Sequence, residues 1–224
     1  MERFFDIFLS ALGLLVFSPL LIFVALILRF SGEGEILFLQ ERVGRNRKVF
    51  NIFKFATMLK DSPKIGTGTI SIKNDPRVLP VGKILRRTKI NELPQLLNIL
   101  IGDMSIVGPR PLTSKSFDFY SFDSQQVIKT VKPGLSGIGS IVFRGEEDII
   151  NSSKASSNFY ENVIAPYKGQ LEEWYVLNKS LYTYFLAILV TVWTVLVPNT
   201  KMIWIVFKDL PKPPKELKND LHYS

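Results

Sequence analysis

The residues best suited to chemistry lie together between positions 86 and 111, in the segment RRTKINELPQLLNILIGDMSIVGPRP. Asn91 suits the N-cap of a helix whose Leu93, Leu96, Leu97 and Leu100 recur at i, i+3, i+4 and i+7 and make one apolar face. Glu92 then falls in the first turn, with Pro94 at a position where its missing N–H costs little. The positive end of such a helix attracts phosphate. Arg86 and Arg87 lie just upstream, and Arg110 is held between Pro109 and Pro111. Three guanidinium groups converging on one phosphate would bind it bidentately. A carboxylate beside them suits Mg²⁺, which takes one or two carboxylates plus substrate phosphate oxygens. The plainer reading of the same residues is a capped surface helix with a solvated acid and prolines that stiffen a turn.

The rest of the chain narrows the chemistry. There is no cysteine, so thiolate nucleophiles, thiolate metal sites and disulfides are excluded. The one histidine, His222, stands two residues from the end of the chain, which argues against a Ser-His-Asp triad or a histidine-rich metal site. Lys and Arg number 28 against 20 acids, a net charge of +8 that calls for an anionic partner. Residues 41–89 alone hold thirteen Lys or Arg and three acids, a larger excess than that of the whole chain.

That basic block follows an uncharged run of 22 residues from Ile7 to Leu28. As a helix the run would reach about 33 Å, enough for a bilayer core. The flank Met-Glu-Arg-Phe-Phe-Asp is not basic and no small-x-small site follows, so a signal peptide fits poorly. Ser18-Pro19 stands mid-run. Pro19 has no N–H for the Leu15 carbonyl, which predicts a kink, and the Ser18 hydroxyl is placed to bond a freed carbonyl. Two geometries satisfy this: a kinked spanning helix, or one that enters and returns to the same face. The positive-inside rule puts the basic block on the cytoplasmic side.

Residues 31–180 read as a globular unit. Two strands, GEILFLQERVG and KVFNIFKFATM, join at a Gly44-Arg45-Asn46 turn. The Gly/Ser/Thr-rich 61–75 segment suits a mobile lid. A helix is expected near 113–130, extended or looped chain over 135–144, an exposed polar stretch at 151–158 and a helix over 159–179. Leu181 to Val197 and MIWIVFKDL (202–210) are apolar and aromatic, and suit helices lying in the membrane interface, with a second span as the alternative for 181–197. The expected organisation is therefore a membrane helix at 1–30, a catalytic unit at 31–180, interfacial helices at 181–210 and an extended tail at 211–224. The fold class is α+β: a mostly helical, membrane-associated domain with a small β element. No nucleic-acid-binding motif is present.

The chain resembles the bacterial sugar transferases that initiate surface glycans, the monotopic phosphoglycosyl transferases. The matching pieces are the apolar run with Ser18-Pro19, ERVGRNRKVFNIFKFATM (41–58), NDPRVLPVGKILRRTKINELPQLLNILIGDMSIVGPRPL (74–112), KPGLSG (132–137) and WYVLNKSL (174–181). The resemblance implies transfer of a sugar 1-phosphate from a UDP-sugar to undecaprenyl phosphate with release of UMP. The expected setting is the cytoplasmic face of the bacterial inner membrane, in O-antigen, capsule or exopolysaccharide synthesis. It implies a monotopic fold whose N-terminal segment is a re-entrant helix-break-helix at Ser18 and Pro19. It also implies Mg²⁺ held by Glu92, a phosphate site containing Arg86 and Arg110, and Lys54 as the lysine of a Lys-Phe motif. UDP-sugar, undecaprenyl phosphate and membrane lipid are the expected partners, nucleic acid is not, and a homo-oligomer is compatible.

Two departures stand out. The family's nucleophilic Asp is replaced by Asn91, and an amide cannot attack phosphorus as a carboxylate does. Three outcomes are open: Glu92 as the nucleophile, direct attack by the lipid phosphate, or a catalytically impaired relative that binds lipid phosphate or a partner glycan enzyme. The family's aromatic-Gln-Val-x-Gly-Arg pattern is IGSIVFRGE here, with Arg144 at the arginine position.

Overall fold

The computed structural model describes residues 1–62, 75–146, 149, 159–197 and 200–223. Most of the expected lid at 61–75 and the whole polar stretch at 151–158 lie outside the described residues.

The elements begin with a 28-residue helix, α1 (Glu2–Arg29). Strands β1 (Leu37–Val43) and β2 (Val49–Phe55) follow as an antiparallel hairpin, with Val43 opposite Val49. Both strands fall within the two segments the sequence marked as strands. In the connecting turn Asn46 has φ 56°, left-handed backbone that asparagine tolerates, and its N–H bonds the Lys129 carbonyl at 2.7 Å. Helix α2 (Pro80–Arg87) lies so close to the end of the hairpin that a Cβ on Gly82 would stand 2.2 Å from the Thr57 carbonyl oxygen.

The leucine-rich segment differs from expectation in two ways. Asn91 is not an N-cap: it is buried inside a 3-10 turn, Ile90–Glu92, that starts at Lys89 in left-handed conformation (φ 61°). Helix α3 (Gln95–Ile101) begins only after Pro94, which takes the cap position. Its buried residues include Gln95, Leu96, Asn98 and Ile99, whereas Leu97 is exposed. The reason is Asn98, whose side-chain oxygen accepts the Phe53 N–H at 2.9 Å and whose amide donates to the Asn51 carbonyl at 2.8 Å. A polar side chain, satisfied by the edge of β2, thus fixes the rotation that leucine periodicity would have set differently.

The chain continues through β3 (Ser105–Val107), α4 (Ser114–Phe117) and α5 (Phe122–Ile128). The single helix expected near 113–130 is two short ones, because Thr113 and Ser121 each cap a new start by accepting a backbone N–H. Of residues 135–144, expected as extended or looped chain, 135–136 are extended in β4 (Gly134–Ser136), while 138–142 instead form α6 (Ile138–Val142). Strand β4 pairs in parallel with β3, and the approach is so tight that a Cβ on Gly134 would meet the Gly108 nitrogen at 2.1 Å.

A π-helical turn, Tyr160–Ile164, leads into α7 (Ala165–Leu177), then α8 (Leu181–Leu196) and α9 (Met202–Val206). The tail is not simply extended. It forms a 3-10 turn, Lys215–Leu217, and buries Leu217 and Leu221 in the core shared by Ile138, Leu171, Tyr175, Tyr184 and Phe207.

Helix α1 is the one helix among the described residues long and apolar enough to cross a membrane, by length and composition. It is helical through Ser18-Pro19, where a kink was expected and the resemblance implied a helix-break-helix. The Leu15 carbonyl that Pro19 leaves free accepts the Ser18 hydroxyl at 2.8 Å. Near its start, Arg3 donates to the Ile99 and Leu100 carbonyls at 2.5 and 2.8 Å, satisfying the open end of α3. One oxygen of buried Asp6 accepts from the Ser105 hydroxyl, the Ile106 N–H and the Tyr184 hydroxyl, each at 2.9 Å. Near its end, Val24 and Leu28 pack with Phe55 and Leu85. Both ends of α1 are thus fixed to the same globular body, while Phe8, Leu15, Val16, Ile22 and Phe23 stay exposed.

Candidate functional site

Four elements converge on one small polar cavity. Its charged lining is Arg42 from β1, Lys54 from β2, Glu92 from the 3-10 turn and Arg110 from the 109–111 turn, with Gln95 of α3 and Gly134 and Leu135 of β4 completing it. Hairpin register and the Asn98 bridge set the spacing: α3 is tied to Asn51 and Phe53, so the turn ahead of it faces Lys54. Lys54 Nζ lies 3.5 Å from Glu92 Oε1, and each side chain is 18% exposed. Arg42 donates to the Pro111 carbonyl at 3.3 Å and to Gln40, while its buried Nε has no hydrogen-bond partner among the described residues. The buried Oδ1 of Asn91, next to Glu92 in the chain, also lacks one.

The electrostatics are lopsided. Burial alone would raise the Glu92 carboxyl, but Lys54, Arg110 and Lys89 outweigh it and hold it down to about 2. Burial pushes Lys54 down to about 8, against the pull of Glu92 and with the help of Arg110 and Arg42. Arg42 is lowered by burial to about 10, while Arg110 is raised because Glu92 and Glu146 offset its burial. Lys54, Arg42 and Arg110 thus surround a single ionised carboxylate, an arrangement short of negative charge that an anion would complete.

Of the residues singled out by sequence, the fold brings Lys54, Glu92 and Arg110 to this cavity, with Asn91 buried in the same turn as Glu92. Arg86 and Arg87 stand outside its lining at the end of α2, where Arg86 approaches the Met58 sulfur at 3.7 Å. Arg144 lies just beyond α6, also outside it. Ser18 and Pro19 lie in α1. Sequence reading counted Arg42 in the basic block without assigning it to a site; its signal was its place in the ERVG segment. It missed a second buried polar group behind Arg110. There Glu172 Oε1 accepts the Arg110 backbone N–H at 3.1 Å, and Lys168 pairs with Glu146 at 2.7 Å.

A metal ion would find no ready cage: among the described residues no three acidic or histidine side chains cluster. The donor set fits an ion that takes little from the protein. It offers one ionised carboxylate, Glu92; the Asn91 amide oxygen, in the same turn, has no hydrogen-bond partner among the described residues but is not part of the cavity lining. This suits Mg²⁺ completed by substrate phosphates and water.

Comparison with known proteins follows the same lines. The family model described as bacterial sugar transferase matches residues 1–198. An exopolysaccharide production protein of Rhizobium leguminosarum bv. phaseoli is 48% identical over 110 residues, 49% of this chain and 55% of that protein. The exopolysaccharide production protein ExoY of Rhizobium meliloti is 31% identical over 175 residues, covering 72% of this chain and 77% of ExoY. A UDP-glucose:undecaprenyl-phosphate glucose-1-phosphate transferase of Escherichia coli is 38% identical over 163 residues, covering 71% of this chain but 35% of that protein. The cationic cavity is thus built from segments inside the matched region, and the chain belongs to the bacterial sugar transferase family.

Proposed function

We propose that this protein transfers a sugar 1-phosphate from a UDP-sugar to undecaprenyl phosphate, releasing UMP, as the membrane step that begins an exopolysaccharide or related surface glycan. The observation that carries this reading is the cavity in which Arg42, Lys54 and Arg110 surround the ionised Glu92 carboxylate. Relatives named as undecaprenyl-phosphate sugar phosphotransferases support the substrate pair.

Arg42, Lys54 and Arg110 bind the diphosphate of the donor and stabilise the charge that builds on its oxygens during transfer. Glu92, in the same turn as Asn91, would hold Mg²⁺, which would supply charge neutralisation for the transferring phosphate. With an amide at position 91 and Glu92 held at about 2, a weak base already engaged by cations, the direct route is the better one. An oxygen of the lipid phosphate attacks the phosphorus attached to the sugar. The bond from that phosphorus to the oxygen of the uridine-bearing phosphate breaks, and UMP leaves with the electron pair. No covalent enzyme intermediate is required.

The setting is the cytoplasmic face of the bacterial inner membrane, with α1 re-entrant rather than spanning. Support comes from α1 itself, whose two ends both hold the same globular body, and from exposed Leu189, Val192 and Leu196 on α8, which suit a lipid surface. In this organisation 1–30 is the membrane helix, 31–180 carries the transfer site, and 181–210 and 211–224 support it.

The test is UMP release by detergent-purified protein with undecaprenyl phosphate, Mg²⁺ and a panel of UDP-sugars. The wild type is expected to release UMP with one sugar, and Glu92→Gln to lose at least about a hundredfold of that rate. Silence from the wild type with activity in Asn91→Asp would identify a disarmed relative instead.

A further inference from the structure

At the backbone of Arg110, outside the cavity lining, lies a carboxylate that the transfer chemistry does not touch. Glu172 of α7 is fully buried. Its Oε1 accepts the backbone N–H of Arg110 at 3.1 Å, and the Gly139 backbone at the start of α6 also favours its charged form. The fit is close: a Cβ on Gly139 would stand 2.5 Å from Oε1, and one on Gly137 3.5 Å from Oε2. Oε2 has no hydrogen-bond partner among the described residues, and neither has the buried Tyr120 hydroxyl nearby. A half-satisfied buried carboxylate is costly, and a purely structural bridge between two backbone amides would be served by a neutral acceptor.

We propose that Glu172 is a positioning residue of the transfer site: ionised, it clamps the turn that carries Arg110 against the 137–139 segment and so holds Arg110 in the phosphate cavity. The proposal rests on the transferase reading above. An ionised acceptor makes shorter and stronger bonds to N–H donors than a neutral one, so the clamp is tight when Glu172 is charged and slack when it is protonated. The groups that face it set that balance. Arg110 lies on the turn, Lys168 and Tyr175 on its own helix, Glu146 beyond α6 and Tyr120 beyond α4. Lys168 is already paired with Glu146, which leaves burial dominant and the Glu172 carboxyl pushed up to about 7. The clamp therefore tightens as pH rises through neutrality.

Two measurements on the full chain in detergent test this: the donor KM at pH 6 and pH 8, and amide exchange over residues 107–112, corrected for intrinsic rates. In the wild type, KM is expected to fall at least about threefold between pH 6 and pH 8 and exchange to slow in parallel. Glu172→Gln, which mimics the protonated acid, is expected to keep the high KM and the faster exchange at both pH values. Glu172→Asp restores the pH step in part, and Glu173→Gln, one residue along α7, behaves as wild type. A Glu172→Gln protein with the wild-type KM at both pH values overturns the proposal, whatever its exchange. If the wild type releases no UMP with any sugar, the transferase reading fails by itself and exchange decides. Unchanged protection at 107–112 in Glu172→Gln then overturns the clamp, and lost protection upholds it.

Discussion

Half-buried Glu92 and fully buried Glu172 both act on Arg110, and their surroundings drive them apart. Glu92 faces Lys54 and Arg110 across a polar cavity and is held down to about 2. Glu172 hydrogen-bonds its arginine through a backbone N–H, shares Lys168 with Glu146, and is pushed up to about 7 by burial. Burial acts on both in the same sense, so the count of uncommitted cations within reach decides the difference. A carboxylate surrounded by cations is fixed in one charge state over the working pH range and serves as a constant. One left to burial titrates near neutrality and serves as a variable.

The largest break in this comparison is expected at Lys54. Lys54→Met removes the nearest cation from Glu92 and one of the three cations from the phosphate site. UMP release is expected to fall roughly a hundredfold. The Glu92 pKa rises toward that of an ordinary carboxyl, so the acid limb of the pH–rate profile moves up. Lys54→Arg recovers part of both. A Lys54→Met enzyme with an unshifted acid limb would mean that Arg110 and Lys89 alone hold Glu92 ionised.

Stability sharpens the comparison because the two groups carry opposite signs. The folded-state pKa of Glu92 is depressed, so its contribution is present above the unfolded value of 4.5 and is lost as pH falls from there toward 2. That of Glu172 is raised, so its contribution is present below 4.5 and is lost as pH rises from 4.5 to 7. The loss amounts to about 3 kcal/mol at most. Glu172→Gln is therefore expected to match the wild type in thermal unfolding at pH 4.5 and to exceed it at pH 8, while turning over more slowly. Greater global stability with a looser Arg110 turn is the signature of a charge kept for its position and not for its contribution to folding. Equal melting profiles in the two proteins across this window would show that Glu172 does not titrate there.

Much of this arrangement was legible in the sequence, and the unread part has physical causes. Two strand segments joined at a Gly44-Arg45-Asn46 turn marked β1 and β2, and the Ser18-Pro19 pair announced the repaired carbonyl at Leu15, because both signals are local. The Glu92–Arg110 neighbourhood was legible because both residues stand in one short segment rich in turn formers. The rotation of α3 was not, since Asn98 is satisfied by β2, some 45 residues away in the chain, and periodicity counts only apolar positions. Arg86 and Arg87, close to Glu92 in sequence, stand outside the cavity lining, on the far side of the left-handed turn at Lys89. Glu172 gave no sign at all. A Glu-Glu pair in a helix reads as a solvated face, and only the glycines at 137 and 139, whose hydrogens leave room for its carboxylate, are the other half of that site.

The smallest expected effect tests whether the empty side of Glu172 matters. The Tyr120 hydroxyl is buried with no hydrogen-bond partner among the described residues, and burial, with Glu172 and Glu146 beside it, raises its pKa. It therefore stays protonated at every working pH and donates to nothing among the described residues. Tyr120→Phe removes an unsatisfied polar atom and leaves the ring in place against Phe117 and Gly169. The expected outcome is a gain of up to about 1 kcal/mol in unfolding free energy, with UMP release within about twofold of wild type and the pH step unmoved. A loss of stability would reveal a partner for that hydroxyl, and a moved pH step would make Tyr120 the group that completes the Glu172 carboxylate. In that case the clamp behind Arg110 would be a pair of residues, and its neutral pKa would belong to both.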